Sequence, residues 1–244
     1  MSDSKIVLIT GGNRGIGLET ANQLAGQVNT IIITGRDQAK LDEVLKTWKS
    51  ETKLVGLVMD VENADSIKQA ANYVDENYGR LDVLINNAGA ALEGTWGQNS
   101  ATSVEMSVLK RTFDINYFGL VAVTNAFLPL ISKSDAGRIV NVSSILGSLD
   151  TQSDANSPFA PVKTLAYNSS KSAVNSYTVH LADALKETNI KVNAAHPGWV
   201  KTEMGTQDAP LEVEDGAKTS VELALLGADG PTGGFFHLGE VVAW

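Results

Sequence analysis

The sequence predicts an α/β fold, a single doubly wound parallel sheet with helices on both faces. Three observations predict it. Short apolar runs rich in β-branched residues alternate with longer amphipathic segments along all 244 residues. The runs are apolar on both faces, as strands covered on both sides are. A glycine cluster separates the first run from the segment after it.

Residues 5–10 (KIVLIT) form the first predicted strand, and 15–26 a helix with Ile16, Leu18, Ala21 and Leu24 on one face. Residues 30–34 (TIIIT) are a strand, 38–50 a helix, 53–58 (KLVGLV) a strand and 63–78 a helix. Strand 81–86 (LDVLIN) leads into a long helical region between about 101 and 133. Strand 138–143 (RIVNVS), helix 164–187, strand 190–195 (IKVNAA), helix 214–227 and a short strand at 234–238 complete the order. No repeat or linker divides the chain, so residues 1–244 are expected to form one domain. Segments 90–100, 147–163 and 199–213 lack periodicity, and each follows a predicted strand. Ligand crevices form there in open α/β sheets, so these loops are the expected substrate-pocket walls. Trp96, Leu146, Phe159, Trp199 and Met204 lie in or beside them and favour an apolar or aromatic substrate.

Composition narrows the function. Hydrophobic content of 43% and charged content of 19% describe an ordinary globule. The formal net charge of -9 repels nucleic-acid phosphates and anionic membranes, so neither is an expected partner. The absence of Cys excludes disulfides, thiolate nucleophiles and Cys-ligated zinc. His180 and His196 lie in different contexts, and no His/Asp/Glu cluster has ligand spacing, so no metal is expected. Met1-Ser2-Asp3-Ser4-Lys5 leads into too few apolar residues for a signal-peptide core, and no stretch approaches the roughly 20 a membrane span needs. A cytoplasmic location is expected.

The first strand ends in Thr10-Gly11-Gly12-Asn13-Arg14-Gly15-Ile16-Gly17. Glycines 11, 15 and 17 permit a tight turn and close backbone approach to a pyrophosphate. The following helix N-terminus offers amides and a positive dipole end. The spacing Gly-x-x-x-Gly-x-Gly departs from Gly-x-Gly-x-x-Gly, but strand–loop–helix context marks a dinucleotide site. The second strand ends in Thr34-Gly35-Arg36-Asp37. Arg36, with Arg14 in the loop, can clamp a 2′-phosphate, which favours NADPH (NADP+) over NADH. The rival reading gives the ribose to Asp37. Asp60 and Val61, after the third strand, suit the adenine, while an Asp there also suits a helix cap.

From here the residues resemble the short-chain dehydrogenase/reductase family, with its Rossmann fold, along essentially the whole chain. Thr10–Gly17 fits that family's cofactor loop. Asn86-Asn87-Ala88-Gly89 fits the motif after strand four, Asn116 its active-site asparagine, and Ser144 its catalytic serine. Tyr167-Asn168-Ser169-Ser170-Lys171 fits Tyr-x-x-x-Lys, and Pro197-Gly198-Trp199-Val200-Lys201-Thr202 fits the nicotinamide-side loop. Within the family the NADPH carbonyl reductases are most similar, through HPGWVKTEMG, EDGAKTSVELALL and the C-terminal Trp. An insertion at roughly 149–163 separates Ser144 from Tyr167 further than in the commonest members, but is shorter than in the animal carbonyl reductases. An insertion there can block pairing through the tyrosine helix, so a monomer is favoured and a homodimer is the alternative.

Tyr167 and Lys171 are i and i+4, on one helical face. An ammonium beside the phenol, with the family's oxidised nicotinamide, is expected to lower its pKa from near 10. The expected reaction is reduction of a small-molecule ketone or aldehyde. Ser144 and Tyr167 hydrogen-bond the carbonyl oxygen, and Tyr167 delivers the proton. The resemblance implies that Lys171 also holds the nicotinamide ribose and that Asn116 anchors a relay water. It further implies cofactor contacts from Asn87, Ala88, Gly89, Pro197, Gly198, Val200 and Thr202. Ser144 lacks the Gly-x-Ser-x-Gly elbow, which argues against a hydrolase. Two alternatives stand: an NAD(P)-dependent alcohol dehydrogenase running oxidatively, and an NADP(H)-binding sensor without turnover.

Overall fold

The computed structural model describes residues 5–94 and 101–244. The described strands form one sheet: β1 (Ile6–Ile9), β2 (Thr30–Gly35), β3 (Lys53–Val58), β4 (Val83–Asn86), β5 (Arg138–Val142), β6 (Lys191–Ala195), β7 (Phe235–His237) and β8 (Glu240–Val241). The spatial order is β3-β2-β1-β4-β5-β6-β7-β8. The helices are α1 (Gly15–Leu24), α2 (Gln38–Thr47), α3 (Ala64–Tyr78), α4 (Met106–Phe113), α5 (Leu120–Ile131), α6 (Leu149–Ser153), α7 (Leu165–Ala184) and α8 (Val213–Ala224).

Alternation along β1 shows how the layers form. Ile6 and Leu8 enter one core with Ile67 and Val74 of α3, Phe127 of α5 and Leu181 of α7. Val7 and Ile9 enter the opposite core with Leu24 of α1, Leu41 of α2 and Leu223 of α8. Successive strand side chains point to opposite faces, so a strand apolar at every position feeds both cores. β1 pairs with β2 on one side and β4 on the other, all parallel. The winding therefore reverses beside β1, which opens a crevice at the carboxyl ends of β1 and β4.

Two expectations need correction. The sheet is not wholly parallel, because β8 pairs antiparallel with β7. Leu238 and Gly239 have φ of 49° and 82°, and two successive positive φ values make the tight reversal of a two-residue hairpin. Segment 147–163 is not all loop, since Ser148 accepts from the Thr151 N–H and starts the short α6. The helical region is one run, Met106–Ile131, long and apolar enough by composition to cross a membrane. In the fold that run holds a wide π turn at Asp114–Gly119 and sinks Val123, Phe127 and Ile131 into the core.

α7 lies hard against the single 3₁₀ turn Ile145–Gly147 that follows β5. A Cβ on Gly147 would sit 2.7 Å from the Lys171 carbonyl carbon and 2.8 Å from Lys171 Cβ. Backbone cannot yield as a side chain can, so Gly147→Ala should cost about 1–3 kcal/mol. A lowered urea midpoint is the expected readout. Gly227→Ala, with nothing within 4 Å, should leave the midpoint nearly unchanged.

Candidate active site

The glycine loop connects β1 to α1. Gly11 and Gly15 have φ of 61° and 51°, in the left-handed region that favours glycine. A Cβ on Gly17 would meet Asn87 Nδ2 and the Gly11 carbonyl oxygen at 2.5 Å each. Asn13 lies against Gly35 at the end of β2, where a Cβ would be 3.0 Å from Asn13 Oδ1. No side chain caps the N-terminus of α1, and its first turn holds no acid. Backbone approach is thus open and the amide end is electropositive, as an anion requires.

Asn87 and Ala88 act on this loop from β4. Both backbone amides donate to Thr10 Oγ1 at 2.9 Å, and Asn87 Nδ2 donates to the Thr10 and Gly11 carbonyls at 2.8 and 3.1 Å. The Asn87 side chain therefore braces the loop. Gly89 lies deeper: a Cβ there would be 3.3 Å from Asn116 Oδ1 and 3.5 Å from Lys171 Nζ.

At the end of β2, Asp37 caps α2, with Oδ1 accepting from the Ala39 N–H at 2.9 Å. The carboxylate is thus engaged by its own helix. Arg36 is largely exposed and lies 3.9 Å from Glu62, which also faces Arg111 at 3.8 Å. Arg14 forms an ion pair with Glu203, which joins the glycine loop to the segment after β6. Asp60 Oδ1 accepts from the Glu62 N–H at 3.0 Å and closes a turn. The Val61 carbonyl abuts Gly119, where a Cβ would approach it to 2.8 Å.

Asn116 sits within the π turn, fully buried. Its Oδ1 accepts from the Ala90 N–H at 2.8 Å, and Nδ2 donates to the Ala90 carbonyl at 2.9 Å and to Ser170 Oγ at 3.0 Å. A single-turn widening of this kind re-aims a side chain and often marks functional positions. Asn116 thus fastens the loop after β4 to α7.

Ser144 and Tyr167 come together: the Ser144 hydroxyl lies beside the phenol and acts on its titration. Neighbouring Ser143 points elsewhere, donating to Asn175 Oδ1 at 2.5 Å, so only Ser144 faces the phenol. Lys171 Nζ donates to the Val142 carbonyl at 2.8 Å and lies 5.8 Å from the Tyr167 ring centroid. Burial dominates both titrations. It pushes Tyr167 up to about 12, only partly offset by the Ser144 bond, and Lys171 down to about 8. For the protein's own groups the direction is thus set by burial. Desolvation outweighs an ammonium that is engaged with a main-chain carbonyl.

The loop after β6 reaches back to the glycine loop. A Cβ on Gly15 would lie 3.6 Å from Thr202 Cγ2. Thr202 Oγ1 accepts from the Gly205 N–H at 3.0 Å and so also caps its own turn. Gly198, after Pro197, has φ of 88°, and buried Val200 bridges to Leu211. Trp199 is half exposed and donates to the Gly205 carbonyl at 2.6 Å, while Leu146 and Phe159 are half-buried. Met204 lies at the surface. Trp96 lies outside the described residues. A surface hollow between α4 and α7 is lined by Leu109, Phe113, Phe118 and Leu165, and among the described residues none of the expected pocket residues contributes to it.

Sequence reasoning missed His196 as a brace. Its Nδ1 accepts from the Ile145 and Gly198 amides at 3.2 and 3.3 Å, tying the serine turn to the 197–202 loop. Burial, then His237, pushes its pKa down to about 3, so the ring stays a neutral acceptor. Its position between strand and Pro-Gly was the available signal. Glu93 was also missed, and nothing local marks it.

Residues 5–212 match the family model described as short chain dehydrogenase, and the chain belongs to that family of oxidoreductases, which use NAD(P). Among its relatives, (+)-neomenthol dehydrogenase of Capsicum annuum is 30% identical, covering 98% of each chain. Carbonyl reductase (NADPH) 1 of Rattus norvegicus is 30% identical, covering 100% of this chain and 99% of the relative. The solved NADPH-bound carbonyl reductase from chicken fatty liver superposes with a TM-score of 0.85 at 28% identity, covering 98% of this chain and 94% of its own.

The lowered Lys171 pKa has a consequence for stability. Unfolded lysine titrates near 10.5 and the folded residue near 8, so the unfolded chain binds the extra proton between those values. The burial cost is present in full below pH 8 and is relieved as pH rises towards 10.5. Lys171→Met, which leaves the Val142 carbonyl without its donor, should still raise stability at pH 7 by about 1–3 kcal/mol. Its advantage should narrow through that window, as measured by denaturant midpoints across pH.

Proposed function

We propose that this protein reduces the carbonyl of a ketone or aldehyde with NADPH, giving the alcohol and NADP+. The observation that carries the reading is the buried Ser144–Tyr167 hydroxyl pair, with the Lys171 amine one helical turn on.

The chain's own groups fit the cofactor. The Gly11–Gly17 loop and the uncapped start of α1 would hold the pyrophosphate, and Arg14 and Arg36 the 2′-phosphate. Both arginines now face exposed or half-exposed glutamates, and such pairs contribute only about 0–1 kcal/mol. A phosphate dianion can replace those carboxylates at little cost. Asp37 is engaged in capping α2, which leaves the second ribose to the arginines. Asp60 and Val61 would line the adenine, with Asn87, Ala88 and Gly89 beside the sugars. Pro197, Gly198, Val200 and Thr202 would flank the nicotinamide, and Lys171 its ribose. The NADPH-bound chicken carbonyl reductase supports this choice of cofactor.

Bound NADPH supplies the hydride that adds to the carbonyl carbon. Ser144 and Tyr167 hydrogen-bond the carbonyl oxygen and stabilise the charge that grows there. Tyr167, pushed up to about 12, is a neutral phenol at pH 7, the form needed to give a proton. Oxidation of an alcohol would need the phenolate instead. Lys171 remains mostly cationic at pH 7, which draws the phenol proton towards the developing alkoxide.

Ketones and aldehydes, aromatic and aliphatic, should oxidise NADPH in a purified-protein assay, followed by absorbance. Tyr167→Phe should cut turnover by about 10²–10⁴-fold or more with cofactor affinity nearly unchanged. Retained turnover would remove Tyr167 as the donor. Arg36→Asp should weaken NADPH binding by about tenfold or more and shift preference towards NADH. An unchanged NADPH/NADH ratio would withdraw the 2′-phosphate assignment.

A further inference from the structure

We propose that Glu93 is a positioning residue for the reaction, a remote cap that sets the first turn of α7 and with it the placement of Tyr167. α7 begins at Leu165 with Thr164 in the capping position, yet Thr164 makes no side-chain cap bond and its Oγ1 is buried without a partner. No acid lies in the first turn. The first amides that a cap should satisfy belong to Ala166 and Tyr167. Both donate instead to Glu93, the Ala166 N–H to Oε1 at 2.8 Å and the Tyr167 N–H to Oε2 at 2.7 Å. One carboxylate thus spans two successive amides, from 73 and 74 positions away in sequence.

The burial of this group is the second part of the argument. Glu93 is only 9% exposed. A carboxylate is rarely held out of water unless it is paired with charge or with strong donors. Amides at a helix start are such donors, because the helix dipole adds to each bond. Glu93 sits on a loop that is itself fixed at two points. The Ala88 N–H binds Thr10 Oγ1 at 2.9 Å, and Ala90 is held through both its amide and its carbonyl by Asn116. A hydrogen-bonded strut therefore runs from the end of β1, through the loop after β4, to the backbone of Tyr167. It fixes the phenol relative to the glycine loop, independently of the contacts that Lys171 makes one turn on. A small misplacement of a reacting group costs rate far more than it costs binding.

This inference rests on the reading of Tyr167 as proton donor, and its test separates the two. The full chain, Glu93→Gln and the double variant Glu93→Gln/Thr164→Asp are compared. Glutamine keeps the size but turns one oxygen into an NH2 group that faces an N–H. An aspartate at 164 accepts locally from the same two amides. With NADPH and a reducible ketone, Glu93→Gln should lower kcat by about 10–100-fold. NADPH affinity should change less than about twofold, since no cofactor contact is removed. Backbone amide exchange at Ala166 and Tyr167 should accelerate, and the double variant should recover most of kcat and of the protection.

A kcat within twofold of the unaltered chain, or a loss matched by an equal fall in folded fraction by thermal melting, overturns the proposal. So does recovery of melting temperature without recovery of kcat in the double variant. If the unaltered chain reduces no carbonyl, the proposed function fails and the exchange arm decides alone. Faster exchange at Ala166 and Tyr167 in Glu93→Gln then supports the remote cap, and unchanged exchange overturns it.

Discussion

Helix α7 meets the end of β5 through backbone, and the rest of the site takes its geometry from that contact. The glycine at 147 lets the carbonyl of Lys171 approach where any Cβ would intrude. Ser143 reaches from the strand end into α7 and bonds Asn175, and Lys171 returns the link by donating to Val142. Each bond is short, buried and made between elements with no neighbouring sequence. Register along this seam decides which hydroxyl meets Tyr167, and it selects Ser144 because Ser143 is already engaged.

The same seam controls the chemistry of the two ionisable groups it encloses. Taking a phenol and an amine out of water disfavours the charged form of each, so their pKa values move in opposite directions. The protein therefore holds a phenol that keeps its proton beside an amine that is closer to losing one. His196 follows the same rule with another purpose. Burial denies it a charge, and a neutral ring can accept two amides that an imidazolium would repel at Nδ1.

Much of this was legible in the sequence, for reasons particular to each part. β1 and β2 were readable because both their faces are buried, which leaves apolar residues at every position. The Gly11–Gly17 loop and the Tyr167–Lys171 spacing were readable because local geometry demands those residues. The β8 hairpin and α6 were not, since two and five residues are too few to show a period. The π turn around Asn116 lies inside one continuous helical segment, so nothing in Asp114–Gly119 announces it. The raised tyrosine pKa depends on burial from several elements, which no short motif encodes. Glu93 is invisible in the same way: its partners lie on another helix, and the missing local cap at Thr164 has meaning only once α7 is in place.

The ion pair between Arg14 and Glu203 spans the glycine loop and the segment after β6. In the proposed function it turns cofactor entry into an exchange, a carboxylate giving way to a phosphate on the same guanidinium. Dissolved salt weakens the pair that is lost and the pair that is gained together. The ionic strength of the medium then acts on their difference alone. In that reading a count of cationic residues in the cleft overstates how steeply salt acts on cofactor affinity.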